Sequence, residues 1–149
     1  MNFIKKHLKN ERGLTLIELL AVVVILGIIA AIAIPSIGGL INNSKKDAHI
    51  ANAQQMVSGA RTAVAGNDED IDLSGGTDSI SLEDLQEKGY IEPITDPSTK
   101  KEYESGVVTI TKSETNGSLT FTVQLKGAAD YFTEAKDPKE LKRSDVVLP

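Results

Sequence analysis

The chain has 149 residues, a formal net charge of −5 and no cysteine. Without cysteine it cannot form disulfide bonds, thiolate metal sites or cysteine nucleophiles, and its acidic balance disfavours general binding to nucleic acid because it repels phosphates. Aromatic residues make up 4% of the chain and tryptophan is absent, so a folded core has to be built from aliphatic side chains.

The chain begins with a short basic segment. Residues 1–13, MNFIKKHLKNERG, hold three lysines and one arginine against a single glutamate. When an apolar span follows, the positive-inside rule predicts that such a segment stays on the cytoplasmic side of a membrane. The rest of the chain is then expected outside.

An apolar run follows over residues 14–41, and Glu18 is its one charged residue. At about 1.5 Å per residue, a helix of this length is ~42 Å long and exceeds the ~30 Å hydrocarbon core of a bilayer. Every backbone polar group in lipid must be paired within the segment, so we expect a transmembrane helix.

Three interpretations of this start are open. The first is a secretory signal peptide, in which a charged start and 7–15 apolar residues precede a small-residue cleavage site. The Ala-Ile-Ala of residues 31–33 fits such a cleavage site, but the apolar run is too long for a signal peptide and Glu18 interrupts the run. A plain signal anchor without processing gives Glu18 no role. The third interpretation places a cleavage point between Gly13 and Leu14.

The third interpretation also carries a family resemblance. Gly13, an apolar residue and then Thr-Leu-Ile-Glu resemble the class III signal of type IV pilins and pseudopilins over about residues 5–45. The resemblance implies cleavage after Gly13, methylation of the Leu14 amine, and Glu18 as the glutamate at the fifth mature position. It also implies roles for Gly27 and Pro35. Leucine departs from the phenylalanine or methionine commoner at the new amino terminus.

Glu18 is the residue that most needs an explanation. A carboxylate near the centre of a membrane helix costs about 2.5–3.5 kcal/mol, less near its end, and is kept where it finds a partner. Cleavage creates a positive amine four residues earlier, which can pair within one helix or between subunits. The resemblance implies the second use, which sets the axial stagger of a filament. A glutamate that only reaches toward the interface is the alternative.

Two residues weaken the apolar helix. Gly27 costs about 1 kcal/mol relative to alanine, and Pro35 costs about 3 kcal/mol or more because it removes a backbone donor. Together with the glycines at 38 and 39 they predict a curved or kinked helix. The stretch from Gly27 to Pro35 either unwinds when subunits leave the membrane or holds a static kink.

The helix continues past the apolar run as an amphipathic half, residues 42–66. Ile50, Ala53, Val57, Ala60 and Val64 recur at steps of three and four, which is typical of one helical face. We expect one helix from about Leu14 to Ala65 that ends at Gly66. Its apolar face should pack against a sheet.

Residues 67–149 predict a small globular head that packs on residues 45–66, with three or four antiparallel strands. Residues 67–79 are expected to form a loop, and residues 81–89 a short capped helix. Residues 107–112 and 119–125 alternate as strands, joined by Asn116-Gly117 in a type I′ hairpin. The fold class is therefore α+β, with a long N-terminal helix against a small sheet.

The chain's end gives weaker signals. Asp137-Pro138 is expected to start one helical turn, and residues 146–148 to form a final edge strand. Of the two histidines, His7 lies in the leader and His49 is expected on the helix as a boundary residue, between its buried and exposed faces. They assemble no metal cluster and no Ser-His-Asp set, so no enzyme is predicted.

The acidic loop suggests a weak calcium site. Asp70, Asp72 and Ser74 match the opening of an EF-hand-like loop, and Asp78 adds an oxygen. However, Ser81 stands where the closing glutamate belongs. We favour a solvated acidic loop and expect no metal and no cofactor.

The resemblance implies a structural subunit of a type IV pilus, anchored in the membrane as a precursor and polymerised into an extracellular filament for adhesion, motility or DNA uptake. Its implied partners are membrane lipid before assembly, a prepilin peptidase, an inner-membrane assembly platform, minor pilins and copies of itself in a helical homopolymer. The alternatives are a major pseudopilin of a type II secretion or competence machine, and a monomeric membrane-anchored binding module.

Overall fold

The structure, a computed structural model, describes residues 15–149. It combines a long N-terminal helix with a three-stranded antiparallel sheet, which confirms the predicted α+β fold. In chain order its elements are α1 (Leu16–Ala65), β1 (Thr77–Ser81), α2 (Leu82–Glu87), β2 (Ser105–Lys112) and β3 (Leu119–Lys126), with 3₁₀ turns at Leu73–Gly75 and Arg143–Asp145.

The chain divides into two compact units, one ending at Leu40 and the other comprising Ile41–Pro149. We call the second the head unit. In the first unit the apolar side chains are largely uncovered: Leu16 is 87% exposed, Ile32 is 72% exposed and Val22 is 49% exposed. Helix α1 is long and apolar enough to cross a membrane. We take residues 16–41 as the membrane-spanning segment.

Helix α1 ends as predicted after Ala65, but the terminating residue differs from the expected one. Asn67, not Gly66, adopts the left-handed conformation, with φ +52°. Its N–H donates to the Val64 carbonyl and the Asp68 N–H donates to the Ala63 carbonyl, each at 3.1 Å. These two bonds define a Schellman motif, in which the left-handed residue is usually glycine and sometimes asparagine.

The sheet has the order β1-β2-β3, and Val108 of β2 lies opposite Ile80 of β1 and Val123 of β3. Strands β2 and β3 confirm the two predicted strands. Strand β1 was missed, since residues 77–79 fall in the expected loop. Ile80 is its one fully buried residue, so this edge strand lacks the apolar alternation by which a sequence indicates a strand.

The hairpin between β2 and β3 forms as predicted, but its turn is not of type I′. That type needs positive φ at both central residues, whereas Gly117 has φ +70° and Asn116 is not among the positive-φ residues. Ser113 N–H donates to the Ser118 carbonyl at 2.8 Å, which closes a longer loop. Within this loop, the Asn116 side-chain oxygen accepts a hydrogen bond from Ser118 N–H at 3.0 Å.

The buried face of the sheet and the second half of α1 share one hydrophobic core, which confirms the predicted packing. The sheet contributes aliphatic and aromatic side chains, and α1 contributes mostly small ones. The core members from these elements are Ala53, Met56, Val57, Ala60, Ala63, Ile80, Val108, Ile110, Phe121, Val123 and Leu125. Arg61 of α1 is exposed, and its guanidinium lies 4.6 Å from the centroid of the Phe121 ring at the border of this core.

Helix α2 is capped as predicted. The Ser81 hydroxyl accepts from Asp84 N–H at 3.1 Å, the Asp84 carboxylate accepts from Ser81 N–H at 3.4 Å, and Gly89 follows with φ +74°. These contacts form a capping box at the start and a glycine stop at the end.

The C-terminal predictions were wrong in detail. Residues 137–140 form a turn closed by Glu140 N–H to the Asp137 carbonyl at 2.9 Å, and not the start of a helix. Val146 makes a single bridge to Phe132 instead of an edge strand. The 3₁₀ turn at Arg143–Asp145 directly precedes Val146, so the pairing does not extend towards the preceding residues.

The close approach of α1 to the chain after α2 predicts the effect of Gly59→Ala. A Cβ at this position would overlap Cγ2 of Ile91 and lie 3.5 Å from Cδ2 of Leu85. We expect overpacking to outweigh the helix-propensity gain of about 1 kcal/mol and to destabilise the head unit by about 1–3 kcal/mol. Urea unfolding of the full chain in detergent, followed by tyrosine fluorescence, measures this change.

Gly39→Ala is the matched control, because a Cβ there meets nothing within 4 Å. It should leave the urea midpoint of the head unit unchanged. Equal midpoints for the Gly59→Ala variant and the wild type would contradict the packing argument.

Candidate functional site

The predicted processing site lies outside the described residues. Gly13 and Leu14 precede Thr15, where the description begins. Cleavage between them and methylation of the Leu14 amine therefore stay predictions.

Thr15 and Glu18 form a reciprocal cap at the start of α1. Thr15 donates two hydrogen bonds to Oε2 of Glu18, from its backbone N–H at 2.8 Å and from its hydroxyl at 2.9 Å. Glu18 N–H donates back to the Thr15 hydroxyl oxygen at 3.3 Å, and Leu19 N–H donates to the Thr15 carbonyl at 3.1 Å. This is the capping-box arrangement, which satisfies backbone donors that a helix start leaves unpaired.

The cap fixes the direction of the Glu18 carboxylate. Both bonds from Thr15 reach Oε2, and Oε1 accepts no hydrogen bond from residues 15–149. The positive end of the helix dipole also favours a carboxylate in the first turn. The sequence-based prediction missed Thr15 as a capping partner of Glu18, although Thr-x-x-Glu before an apolar run is a known signal for such a cap.

The other predicted assembly residues, Gly27 and Pro35, lie farther along α1. A Cβ on Gly27 would meet nothing within 4 Å, and Pro35 lies inside the helix. Gly27 lies nine positions after Glu18, a helix rise of about 14 Å. The structure spreads these residues along one helix and does not gather them into one site, and their role in bending or unwinding stays a prediction.

In the acidic loop, the carboxylates contact a lysine and backbone N–H groups. Lys88 Nζ lies 2.5 Å from Oδ1 of Asp68 and 2.5 Å from Oδ2 of Asp70. The hydrogen bond from Lys88 is the main reason why the pKa of Asp68 falls to about 2. The loop is therefore held to the residue that follows α2.

The remaining calcium candidates contact the loop's own backbone. Asp72 accepts from Ser74 N–H at 2.9 Å, and Asp78 accepts from Asp72 N–H at 2.6 Å. Within residues 15–149, no group of three histidine, cysteine or acidic side chains is placed to hold a metal ion. Whether the loop takes up calcium stays untested.

A buried polar cluster connects α1 to the rest of the head unit. His49 is 0% exposed, so its expected place at the boundary of the helix was wrong. Its Nδ1 lies 2.9 Å from the Tyr103 hydroxyl and its Nε2 lies 3.0 Å from the Ser98 hydroxyl. The Tyr131 ring stacks on the imidazole with centroids 3.8 Å apart.

Asp96 lies beside the imidazole and is also fully buried. Burial acts to raise its pKa, but hydrogen bonds from the Tyr131 hydroxyl and from the N–H groups of Ser98 and Thr99 outweigh burial and keep the pKa of Asp96 below its usual value. Burial lowers the pKa of His49 to about 4. A neutral imidazole therefore packs beside an ionised carboxylate near neutral pH.

The cluster is not arranged as a catalytic triad. In a triad the carboxylate contacts the imidazole nitrogen remote from the serine. Here Asp96 Oδ1 lies 3.8 Å from Nε2, the same nitrogen that faces Ser98, while Tyr103 contacts the other nitrogen. The cluster instead joins α1 to two later segments of the chain.

The comparisons with known proteins bear on the start of the chain. Residues 8–34 match the family model described as the prokaryotic N-terminal methylation motif. Together with the long apolar helix, the match identifies the class III signal of type IV pilins and pseudopilins. Comparisons with curated proteins and with solved structures found no match.

The motif supports a type IV pilin-like or pseudopilin subunit, a group that is structural and not enzymatic. It implies processing by a prepilin peptidase and assembly with itself, and it supports membrane anchoring as a precursor. The matched residues include Glu18 and Gly27 and end directly before Pro35.

The lowered pKa of His49 predicts an acid-sensitive head unit. The imidazole has a pKa of about 4 when folded and about 6.5 when unfolded, so only the unfolded state gains a proton between these values. Stability is complete above pH 6.5 and should fall by about 3 kcal/mol as the pH drops to 4. Urea unfolding at several pH values measures the slope.

His49→Gln is the control, because glutamine does not titrate. Its absolute stability is expected to be lower, but its unfolding free energy should change much less than that of the wild type between pH 6.5 and 4, because only carboxylates such as Asp68 and Asp96 then contribute to the slope. The same slope in both proteins would show that other groups cause the pH dependence.

Proposed function

We propose that the chain is the structural subunit of a type IV pilus, held in the membrane as a precursor and polymerised into an extracellular filament after its leader is removed. One observation supports the proposal most strongly. The apolar side chains of residues 16–41 are uncovered in the single chain, whereas the head unit closes a core of its own.

The uncovered side chains require an apolar partner in every environment. Lipid provides one in the membrane, where the helix pairs its own backbone groups. Outside the membrane, full burial of one leucine or isoleucine side chain is worth about 1.5–3 kcal/mol relative to water. Identical helices offer a matching apolar surface, and no second apolar surface of similar length lies within residues 42–149.

Glu18 gives such a bundle a defined register. A carboxylate buried among apolar helices is costly unless it is paired. In this proposal Oε1 of Glu18 receives the Leu14 amine of a neighbouring subunit, while the Thr15 cap holds Oε2. Neighbours are then fixed at the one axial offset that pairs each carboxylate.

The proposed partners follow from this sequence of events. A prepilin peptidase cuts after Gly13, and an inner-membrane assembly platform with minor pilins starts the polymer. The filament serves adhesion, motility or DNA uptake. A major pseudopilin of a type II secretion or competence machine is the second candidate, because the same N-terminal motif serves both kinds of subunit. A monomeric membrane-anchored binding module is the third.

Glu18→Ala tests the proposal. We expect the variant to insert into the membrane and to lose its leader, because the apolar run and Gly13 are intact. It should form no filaments, since the carboxylate that pairs with the neighbouring amine is gone. Electron microscopy of the cell surface and the intact mass of the membrane-held chain measure the two outcomes.

Glu114→Ala is the matched control, because Glu114 is an exposed acid in the hairpin loop. It should assemble as the wild type does. Normal filaments from the Glu18→Ala variant would refute the assigned role.

In wild-type cells, long filaments labelled by antibody to the head unit favour a pilus, and label confined to the envelope favours a pseudopilus.

A further inference from the structure

Basic residues from two distant parts of the chain meet in the head unit. Lys46 of α1 donates from Nζ to the Arg143 carbonyl oxygen at 3.1 Å. Arg143 in turn donates two hydrogen bonds of 2.6 Å to the Asp47 carboxylate. These contacts place Lys46 beside Arg143, and with their chain neighbours Lys45 and Lys142 they make up four residues that we call the basic patch.

The basic patch contrasts with the rest of an acidic chain, whose net charge is −5. Two carboxylates lie among its four cations: Asp47 pairs with Arg143, and Asp145 accepts from the Lys142 N–H at 2.8 Å. The neighbouring Asp145 pairs with Lys136 at 3.0 Å. Among residues 15–149, neither Lys45 nor Lys46 nor Lys142 forms a salt bridge, so the patch keeps an excess of positive charge.

The patch begins where the apolar run stops. Lys45 and Lys46 follow Ile41, the last residue of that run, by four and five positions, a helix rise of about 6–8 Å. This distance is within the Debye length of about 8 Å at physiological ionic strength. A lysine side chain is long and flexible enough to cover part of it, so the ammonium groups come within range of a bilayer surface.

We propose that the basic patch binds the phosphate groups of anionic phospholipids in the outer leaflet while the chain is anchored. Lysine ammonium groups are mobile point charges that suit a fluid array of phosphates, and a basic residue near an anionic surface strengthens attachment by about fivefold. The proposal rests on membrane anchoring and not on polymerisation, so it can fail without affecting the proposed filament.

Such binding would tie the basic patch to lipid phosphates in the stored precursor. Release of the subunit into a filament then requires these lysine–phosphate contacts to break. The lipid composition of the outer leaflet thereby influences how readily the precursor leaves the membrane.

Lysine acylation of the full chain tests the proposal. The protein is reconstituted in vesicles of phosphatidylcholine, with or without phosphatidylglycerol, and treated with a membrane-impermeant amine reagent. Mass spectrometry follows each lysine, and Lys112, at the end of β2, serves as internal reference. We expect acylation of Lys45, Lys46 and Lys142 to slow about fivefold relative to Lys112 when phosphatidylglycerol is present. The effect should vanish in about 1 M NaCl, where the Debye length is about 3 Å.

The double variant Lys45→Gln/Lys142→Gln provides a second measurement, because neither side chain is needed for the ion pairs above. In mild detergent, native mass spectrometry should show wild type retaining phosphatidylglycerol over phosphatidylcholine and the double variant losing that preference. Lys112→Gln should behave as wild type.

Three results would overturn the lipid assignment. The first is that the acylation rates do not change when phosphatidylglycerol is present. The second is that inorganic phosphate at equal ionic strength protects the same lysines in neutral vesicles, which would indicate a free-anion site. Alternatively, protection in neutral vesicles grows with the density of protein in the membrane, which indicates a second copy of the chain as the partner.

Discussion

Exposing the apolar side chains of residues 16–41 to water costs free energy, and the arrangement of the rest of the chain depends on this constraint. Leu16, Leu20 and Ile29 each expose more than half of their surface in the single chain. The apolar helix therefore always requires a partner, first acyl chains and, in our account, later its own copies. A single carboxylate within this stretch becomes informative because it is tolerated only where its pairing is provided.

The head unit obeys the opposite constraint, since it has to be stable outside the membrane without disulfide bonds. Small residues on α1, such as Ala53 and Ala60, let the helix lie close against the sheet. Aromatic residues are few, and two of the three tyrosines are used in the cluster around His49. Buried polar groups in that cluster have partners throughout, so the polar contacts specify how the later segments dock on α1.

The sequence predicted the elements whose signals are periodic and local. Helix α1, strands β2 and β3 and the cap of α2 follow from apolar spacing and from residues that act within one turn. Strand β1 could not be found in this way, because its partner residues in β2 are about thirty positions away and only Ile80 of its side chains is buried in the core. The helix end at Asn67 and the loop at Gly117 each depend on one residue in the left-handed backbone conformation. In both places a neighbouring glycine or asparagine could also adopt that conformation, so the sequence does not decide which residue does. His49 and Asp96 meet only after folding, so no local pattern marks them, whereas the Thr15 cap had a visible signal.

The central claim is that residues 16–41 exchange lipid for copies of themselves, and site-specific spin labelling tests it most directly. The chain has no cysteine, so Ile25→Cys gives one labelling position inside the apolar run. In the membrane-held precursor, the label should be reached by dissolved oxygen and show no dipolar coupling. In cell-surface material, we expect strong coupling to neighbouring labels and loss of oxygen access. Cell-surface material whose label remains uncoupled and oxygen-accessible would contradict the account.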